Sequence, residues 1–269
     1  AGNPPNPDGY KTDYLWKEIL EKDSLLDILG RFMYIKKEKE IIDGKEVEKR
    51  IMIFPRYHQL EAVRNIVKDV KNNGIGDNYL VQHSTGSGKS ITISWLAHHF
   101  SSLHDDNDET IFDSVVVITD LRVLDQQLQS TIYQFDHKNG VVQKIDEKSD
   151  QLASALKAGY KIIISTIHKF SYIIDEISNI PERNYAVIVD EGHRSQGGEL
   201  SKSLHKVLGE SDIDEDSIED YQDEMLKDIE AMGPKDNLSF FAFTATPKAK
   251  TLERSEEHTS ELQSPLCIS

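Results

Sequence analysis

Apolar residues recur along the chain in two rhythms. Between Tyr14 and Ile35 they fall at Leu15, Ile19, Leu25, Leu26, Ile28, Leu29, Phe32 and Met33, a roughly helical spacing with Asp23 or Ser24 as internal cap, which predicts two short helices. Lys36 to Arg50 is dense in charge around Asp43-Gly44, a two-residue hairpin signal, and reads either as two exposed strands or as a solvated loop. After Pro55, the positions Leu60, Val63, Ile66, Val67 and Val70 share one helical face that stops near Gly74. The rhythm then changes to short Val/Ile/Phe runs separated by helical stretches. Strands are expected at Tyr79–Gln82, Val115–Thr119, Lys161–Ser165, Tyr185–Asp190 and Ser239–Phe243, with helices at Lys89–Phe100, Val123–Phe135 and Thr166–Ile177. Apolar strands alternating with helices predict an α/β fold, a doubly wound parallel sheet covered on both faces. Right-handed crossovers bring the carboxyl ends of such strands to one edge, where ligands bind.

Charge alters this picture only locally. The chain has 31 basic and 47 acidic side chains, a net charge of −16, which excludes a uniformly basic nucleic-acid coat. Eleven of the acidic groups lie in Glu210–Glu230 against the single Lys227, and this stretch reads as an exposed helical insertion. Without it and the last sixteen residues, the remainder carries −4 and has room for basic patches facing an anionic partner. The longest apolar run, Tyr185 to Val189, is far short of the roughly 20 residues of a membrane helix, and no signal peptide opens the sequence. A soluble, cytoplasmic chain without a membrane partner is expected. Cys267 is the only cysteine and allows no internal disulfide.

Both ends differ from the middle. Residues 1–13 have the Pro/Asn/Gly composition of a linker, and Arg254 to Ser264 matches the translation of a sequencing-library adapter. The expected organisation is therefore a linker at 1–13, a helical and hairpin connector at 14–54, a nucleotide-binding domain at 55–253 containing the acidic insertion 210–230, and a non-native tail at 254–269.

The segment His83-Ser84-Thr85-Gly86-Ser87-Gly88-Lys89-Ser90 lies between a predicted strand and a predicted helix. Gly86 and Gly88 let the backbone curl so that successive N–H groups face phosphate oxygens, and the helix N-terminus adds a positive dipole. Lys89 suits the β and γ phosphates and Ser90 suits Mg²⁺, although His83 stands where the full loop pattern has glycine. The plain alternative is a Gly/Ser turn. Asp190-Glu191-Gly192-His193 closes the strand Tyr185–Asp190. In a nucleotide-hydrolysing P-loop protein Asp190 fits a Mg²⁺ ligand and Glu191 a residue that polarises water, whereas an acidic pair elsewhere is a solvated turn.

Gln82–Ser90, Asp190–His193 and Thr244-Ala245-Thr246-Pro247 together resemble motifs I, II and III of superfamily 2 helicases and translocases. With Tyr14-Leu15-Trp16, Arg56-Tyr57-His58-Gln59, Thr119-Asp120, Leu124 to Leu128, Ser165 to Phe170 and Asp190 to Gln196, the pattern over residues 10 to 253 is similar to the motor of type I restriction enzyme R subunits. The resemblance implies a RecA-like P-loop domain that uses ATP and Mg²⁺ to translocate double-stranded DNA before cleavage, beside methylation and specificity subunits. It implies that Gln59, with Arg56, reads adenine, that Ser84, Thr85, Gly86, Ser87, Gly88, Lys89 and Ser90 hold the phosphates, and that Asp190 and Glu191 act in hydrolysis. Tyr57 and His58 read better as a polar cluster at a helix start. Arg122, in a region where Leu121 replaces a common arginine, and Thr166 match positions facing the DNA backbone, Thr166 being equally suited to cap a helix. His193, Thr244 and Thr246 match residues that couple the γ phosphate to domain motion. The resemblance also implies that the nuclease domain and the second RecA-like domain, with its arginine fingers, lie outside these residues. Other readings are a different superfamily 2 DNA or RNA motor, a type III restriction motor, or an isolated nucleotide-binding module.

Overall fold

A computed structural model of the protein describes residues 6–42, 45–84, 86–119, 131–132, 142–144, 149–166, 173, 176–177, 180, 182–190 and 237–244. Six strands form one parallel sheet: β3 (Asn78–Gln82), β4 (Ser114–Thr119), β5 (Val142–Lys144), β6 (Ile162–Thr166), β7 (Tyr185–Asp190) and β8 (Leu238–Thr244), in the spatial order β3-β8-β7-β4-β6-β5. Alternation along the strands divides their side chains between two cores. Val115, Val117, Ile162, Ile164, Ala186, Ile188, Phe241 and Phe243 join α2 (Tyr57–Asn73) and α3 (Lys89–Ser101) on one face. Val116, Ile118, Ile163, Val187, Val189 and Phe240 join α4 (Ser149–Ala158), Ile173 and Ile177 on the other. The expected α/β sheet covered on both faces is what the chain forms.

Helix α3 is apolar around most of its circumference because it is enclosed on two sides, by the sheet and by α2 with the leading segment. Its buried Thr92 and Ser94 hydroxyls satisfy themselves on the carbonyls of Gly88 and Ser90, one turn back. The leading segment has three short turns in place of the two expected helices: π-helical Leu15–Ile19, α1 (Lys22–Asp27) and π-helical Ile28–Phe32. Glu21 caps α1 by accepting from the backbone N–H groups of Asp23 and Ser24. Of the two readings of the charged stretch, paired strands form: β1 (Tyr34–Ile42) and β2 (Lys45–Ile53) run antiparallel in a separate two-stranded ribbon.

Further differences concern the sheet and the helices beside it. Strand β5 and helix α4 were not expected, and β8 extends one residue beyond the predicted run at each end. Thr166, predicted as the first residue of a helix, is instead the last residue of β6 and pairs with Thr119 in the β4 ladder, where its β-branched side chain suits extended backbone; the N–H groups it would cap lie outside the described residues. Of the predicted helix Val123–Phe135 only residues 131–132 are described, and they are helical. The acidic insertion and the tail lie outside the described residues. Among the described residues, no helix is long and apolar enough to cross a membrane.

Candidate nucleotide site

Register places the strand ends in a row. Gln82 pairs with Thr244, Phe243 with Asp190, Asp190 with Thr119, and Thr119 with Thr166. The loop after β3 rises from this edge and feeds α3, whose first residue is Lys89. Gly86 and Gly88 have φ of 78° and 89°, in the left-handed region that other residues rarely occupy. The Ser87 N–H closes a turn on the Ser84 carbonyl at 3.1 Å, and the Ile91 and Thr92 N–H groups bond to the Gly88 carbonyl to begin the helix. A side chain at Gly88 would be strained twice over, since a Cβ there would stand 2.5 Å from Gln59 Nε2.

That contact comes from the first turn of α2. The Gln59 side chain closes the start of the helix: the Arg56 N–H donates to Gln59 Oε1 at 3.0 Å, while the Gln59 N–H makes the first backbone turn bond to the Arg56 carbonyl at 3.0 Å. The Gln59 amide then donates to the carbonyls of Ser87 and Gly88, both at 3.2 Å. His58 Nε2 lies 3.1 Å from the same Ser87 carbonyl and, facing a pure acceptor, carries the proton and donates. His83 Nδ1 lies 2.9 Å from the Ser87 hydroxyl. Ser87 is thus held at its carbonyl by two side chains and at its hydroxyl by a third. Only 1% of His83 is exposed; this burial, followed by the nearby His58 and Lys89 charges, depresses its pKa to about 4, so the ring is neutral at pH 7.

Across the edge, Lys89 Nζ is 2.8 Å from Asp190 Oδ1, with both side chains largely enclosed. The strand that delivers Asp190 is not the immediate neighbour of β3, because β8 lies between them. Two strand spacings amount to about 10 Å, and the long lysine side chain closes the gap. Asp190 and Ser90, a carboxylate and a hydroxyl, are the hard oxygen donors that suit Mg²⁺, and the ammonium ion beside Asp190 shows that this carboxylate takes a cation. Thr119 stands beside Asp190 on β4, and its buried hydroxyl has no hydrogen-bond partner among the described residues.

Of the residues expected to form the site, Arg56, Gln59, Ser84, Gly86, Ser87, Gly88, Lys89, Ser90 and Asp190 occur together at this end of the sheet. Thr166 ends a strand farther along the same edge, and the backbone of Thr244 ends β8. Thr85, Arg122, Glu191, His193 and Thr246 lie outside the described residues. Sequence reasoning passed over His58, His83 and Thr119 as parts of the site. His83 had a signal of its own, a bulky residue in the glycine position of a phosphate loop, whereas His58 and Thr119 were marked only by lying in segments that carry the resemblance.

Comparison with known proteins agrees with this geometry. The SWI2/SNF2 ATPase family matches residues 58–263, an interval that runs from the first turn of α2 into the tail. A putative type I restriction enzyme endonuclease subunit (MjaVIIIP) of Methanocaldococcus jannaschii is 24% identical over 241 residues, covering 77% of this chain and 22% of the relative. The C-terminal part of a putative type I restriction enzyme endonuclease subunit (MpnIIP) of Mycoplasma pneumoniae is 27% identical over 206 residues, covering 72% of this chain and 94% of that one. The type I restriction enzyme HindI endonuclease subunit of Haemophilus influenzae is 28% identical over 236 residues, covering 85% of this chain and 20% of the relative. The chain therefore spans about a fifth of the length of the first and third relatives. With more than half its residues matched, it belongs to the SWI2/SNF2 ATPase family.

Proposed function

We propose that the chain is the ATP-binding part of a motor that couples ATP hydrolysis to double-stranded DNA translocation in a type I restriction-modification enzyme, working in the cytoplasm with methylation and specificity subunits. The similarity to type I endonuclease subunits supports the choice of motor. The Lys89–Asp190 ion pair carries the reading, because it joins the phosphate loop to the acidic strand end across an intervening strand. In this proposal the backbone of residues 84–88 cradles the phosphates, Gln59 with Arg56 reads adenine, and Lys89 moves to the β and γ phosphates. An enclosed carboxylate left without its lysine is strongly disfavoured. Asp190 and Ser90 would then hold Mg²⁺, which would supply positive charge against the negative charge of the phosphates. Glu191 would orient the attacking water, while Arg122 and Thr166 would face the DNA backbone and His193, Thr244 and Thr246 would relay the state of the γ phosphate.

The boundaries proposed for this motor are a linker at 1–13, a connector at 14–54, the first RecA-like domain at 55–253 and a non-native tail at 254–269, with a second RecA-like domain supplying arginine fingers. The test is ATP hydrolysis with and without double-stranded DNA, on a polypeptide joining this domain to that second domain. DNA-stimulated hydrolysis that falls about a hundredfold or more in Lys89→Ala is expected. Hydrolysis stimulated by RNA, or by no nucleic acid, would overturn the restriction-motor reading.

A further inference from the structure

Both N–H groups of the Gln59 carboxamide are occupied on protein carbonyls. Its oxygen accepts from the Arg56 N–H, and its two amide hydrogens go to the Ser87 and Gly88 carbonyls. Adenine presents a donor at N6 and an acceptor at N7, which a carboxamide matches with one oxygen lone pair and one N–H. The oxygen has a second lone pair, but no N–H is free. To read the base, Gln59 must release one loop carbonyl. Releasing either leaves a donor behind: Gly88 O keeps the Ile91 and Thr92 N–H groups, and Ser87 O keeps His58. The two cases differ in what provides that donor, since helix backbone holds Gly88 whereas a single imidazole holds Ser87.

We propose that His58 is a positioning residue of the nucleotide site, holding the Ser87 carbonyl when Gln59 turns to the base, so that the loop keeps its shape while adenine is read. The proposal rests on the reading of Gln59 given above. Without His58, releasing Ser87 leaves a half-buried carbonyl without a side-chain donor, and Gln59 stays on the loop. Phosphate binding then survives and base discrimination does not. His83, bonded to the Ser87 hydroxyl, cannot replace His58, because it does not reach the carbonyl through that contact.

The test measures affinities of the 269-residue chain for Mg·ATP, Mg·GTP and tripolyphosphate, which has no base. In His58→Ala, and in His58→Met, which fills the space without a donor, the preference for ATP over GTP should fall about three- to tenfold, the worth of one hydrogen bond. Tripolyphosphate affinity should be unchanged, and His58→Gln, whose amide reaches as far as Nε2, should restore the preference. An unchanged preference in both donor-free variants, or ATP, GTP and tripolyphosphate affinities falling together, would overturn the role of His58. Gln59→Ala separates the two ideas: if it retains the preference for ATP, the adenine reading of Gln59 itself is wrong.

Discussion

The phosphate loop and the leading segment both touch helix α2 but are fixed by opposite means. At its first turn, His58 and Gln59 hold backbone carbonyls of the loop through hydrogen bonds. Five residues on, Arg64 reaches the leading segment, which is fixed mainly by burial: Ile28 and Phe32 are fully enclosed, and the Trp95 indole N–H donates to the Phe32 carbonyl at 2.8 Å. A loop that must leave one side open to a ligand cannot be set by apolar packing, and what matters there is the direction of each N–H. Bonds to the carbonyls set that direction, because each peptide plane turns as a unit. The leading segment needs only to be held in place, so packing suffices, and it leaves Trp16, Leu26, Leu29, Ile35 and Met52 exposed.

Breaking the packed region should have the largest effect. Trp95→Ala removes a fully buried indole that lies 5.6 Å from the Phe32 ring and leaves the Phe32 carbonyl without its donor. A loss of about 3–5 kcal/mol is expected in the denaturant midpoint. Trp95→Phe, keeping most of the volume, should cost clearly less. Equal losses in the two variants would mean that the N–H bond, and not packing, holds the segment.

Each region also contains a buried histidine, and acid should act on both. His83 under the loop and His99 against Phe32, with ring centroids 4.6 Å apart, each have a pKa lowered to about 4, chiefly by burial; for His99 the bond to the Trp95 carbonyl opposes the shift. Both are neutral in the folded chain where the unfolded chain, with a pKa near 6.5, begins to bind protons. Stability is therefore complete above pH 6.5 and falls as the pH drops towards 4, by on the order of 3 kcal/mol for each group. Carboxylates titrate in the same window, so the share of each histidine is read by difference. His99→Asn should remove the His99 share of the slope and His83→Asn the other, each leaving its counterpart intact. A slope unchanged in either variant would show that the histidine concerned is not the group titrating.

The two regions were unequally legible in sequence. Gly86, Gly88 and Lys89 could be placed because a phosphate loop is a local object whose chemistry is carried by consecutive residues. The central strands were legible because both faces are buried and Val115–Ile118 and Tyr185–Val189 become continuous apolar runs. Strand β5 has three residues at the sheet edge and too little apolar content to signal itself. Helix α4 did carry a signal, with Leu152, Ala155 and Leu156 at helical spacing ahead of Gly159, and was overlooked. His58 was not legible as a loop contact, since its bond to Ser87 spans 29 residues and depends on where α2 docks. Thr119 gains its meaning only from the register that sets it beside Asp190.

The smallest effect tests whether geometry matters in the packed region as well. Arg64 forks onto Asp27 Oδ2 through Nε at 3.1 Å and Nη2 at 2.8 Å, reaches the Ser24 hydroxyl and carbonyl, and lies over the Phe32 ring at 5.9 Å. Arg64→Lys keeps the charge and most of the aliphatic stem but loses the planar fork, so it can satisfy at most part of this set. Both charged partners are about a third exposed, so solvent screens the ion pair. The expected cost is about 1 kcal/mol in the denaturant midpoint, with no change in ATP affinity, because none of these bonds reaches the loop. If ATP binding weakens with stability, tension in α2 passes between its two anchors, and the loop and the leading segment behave as one mechanical unit.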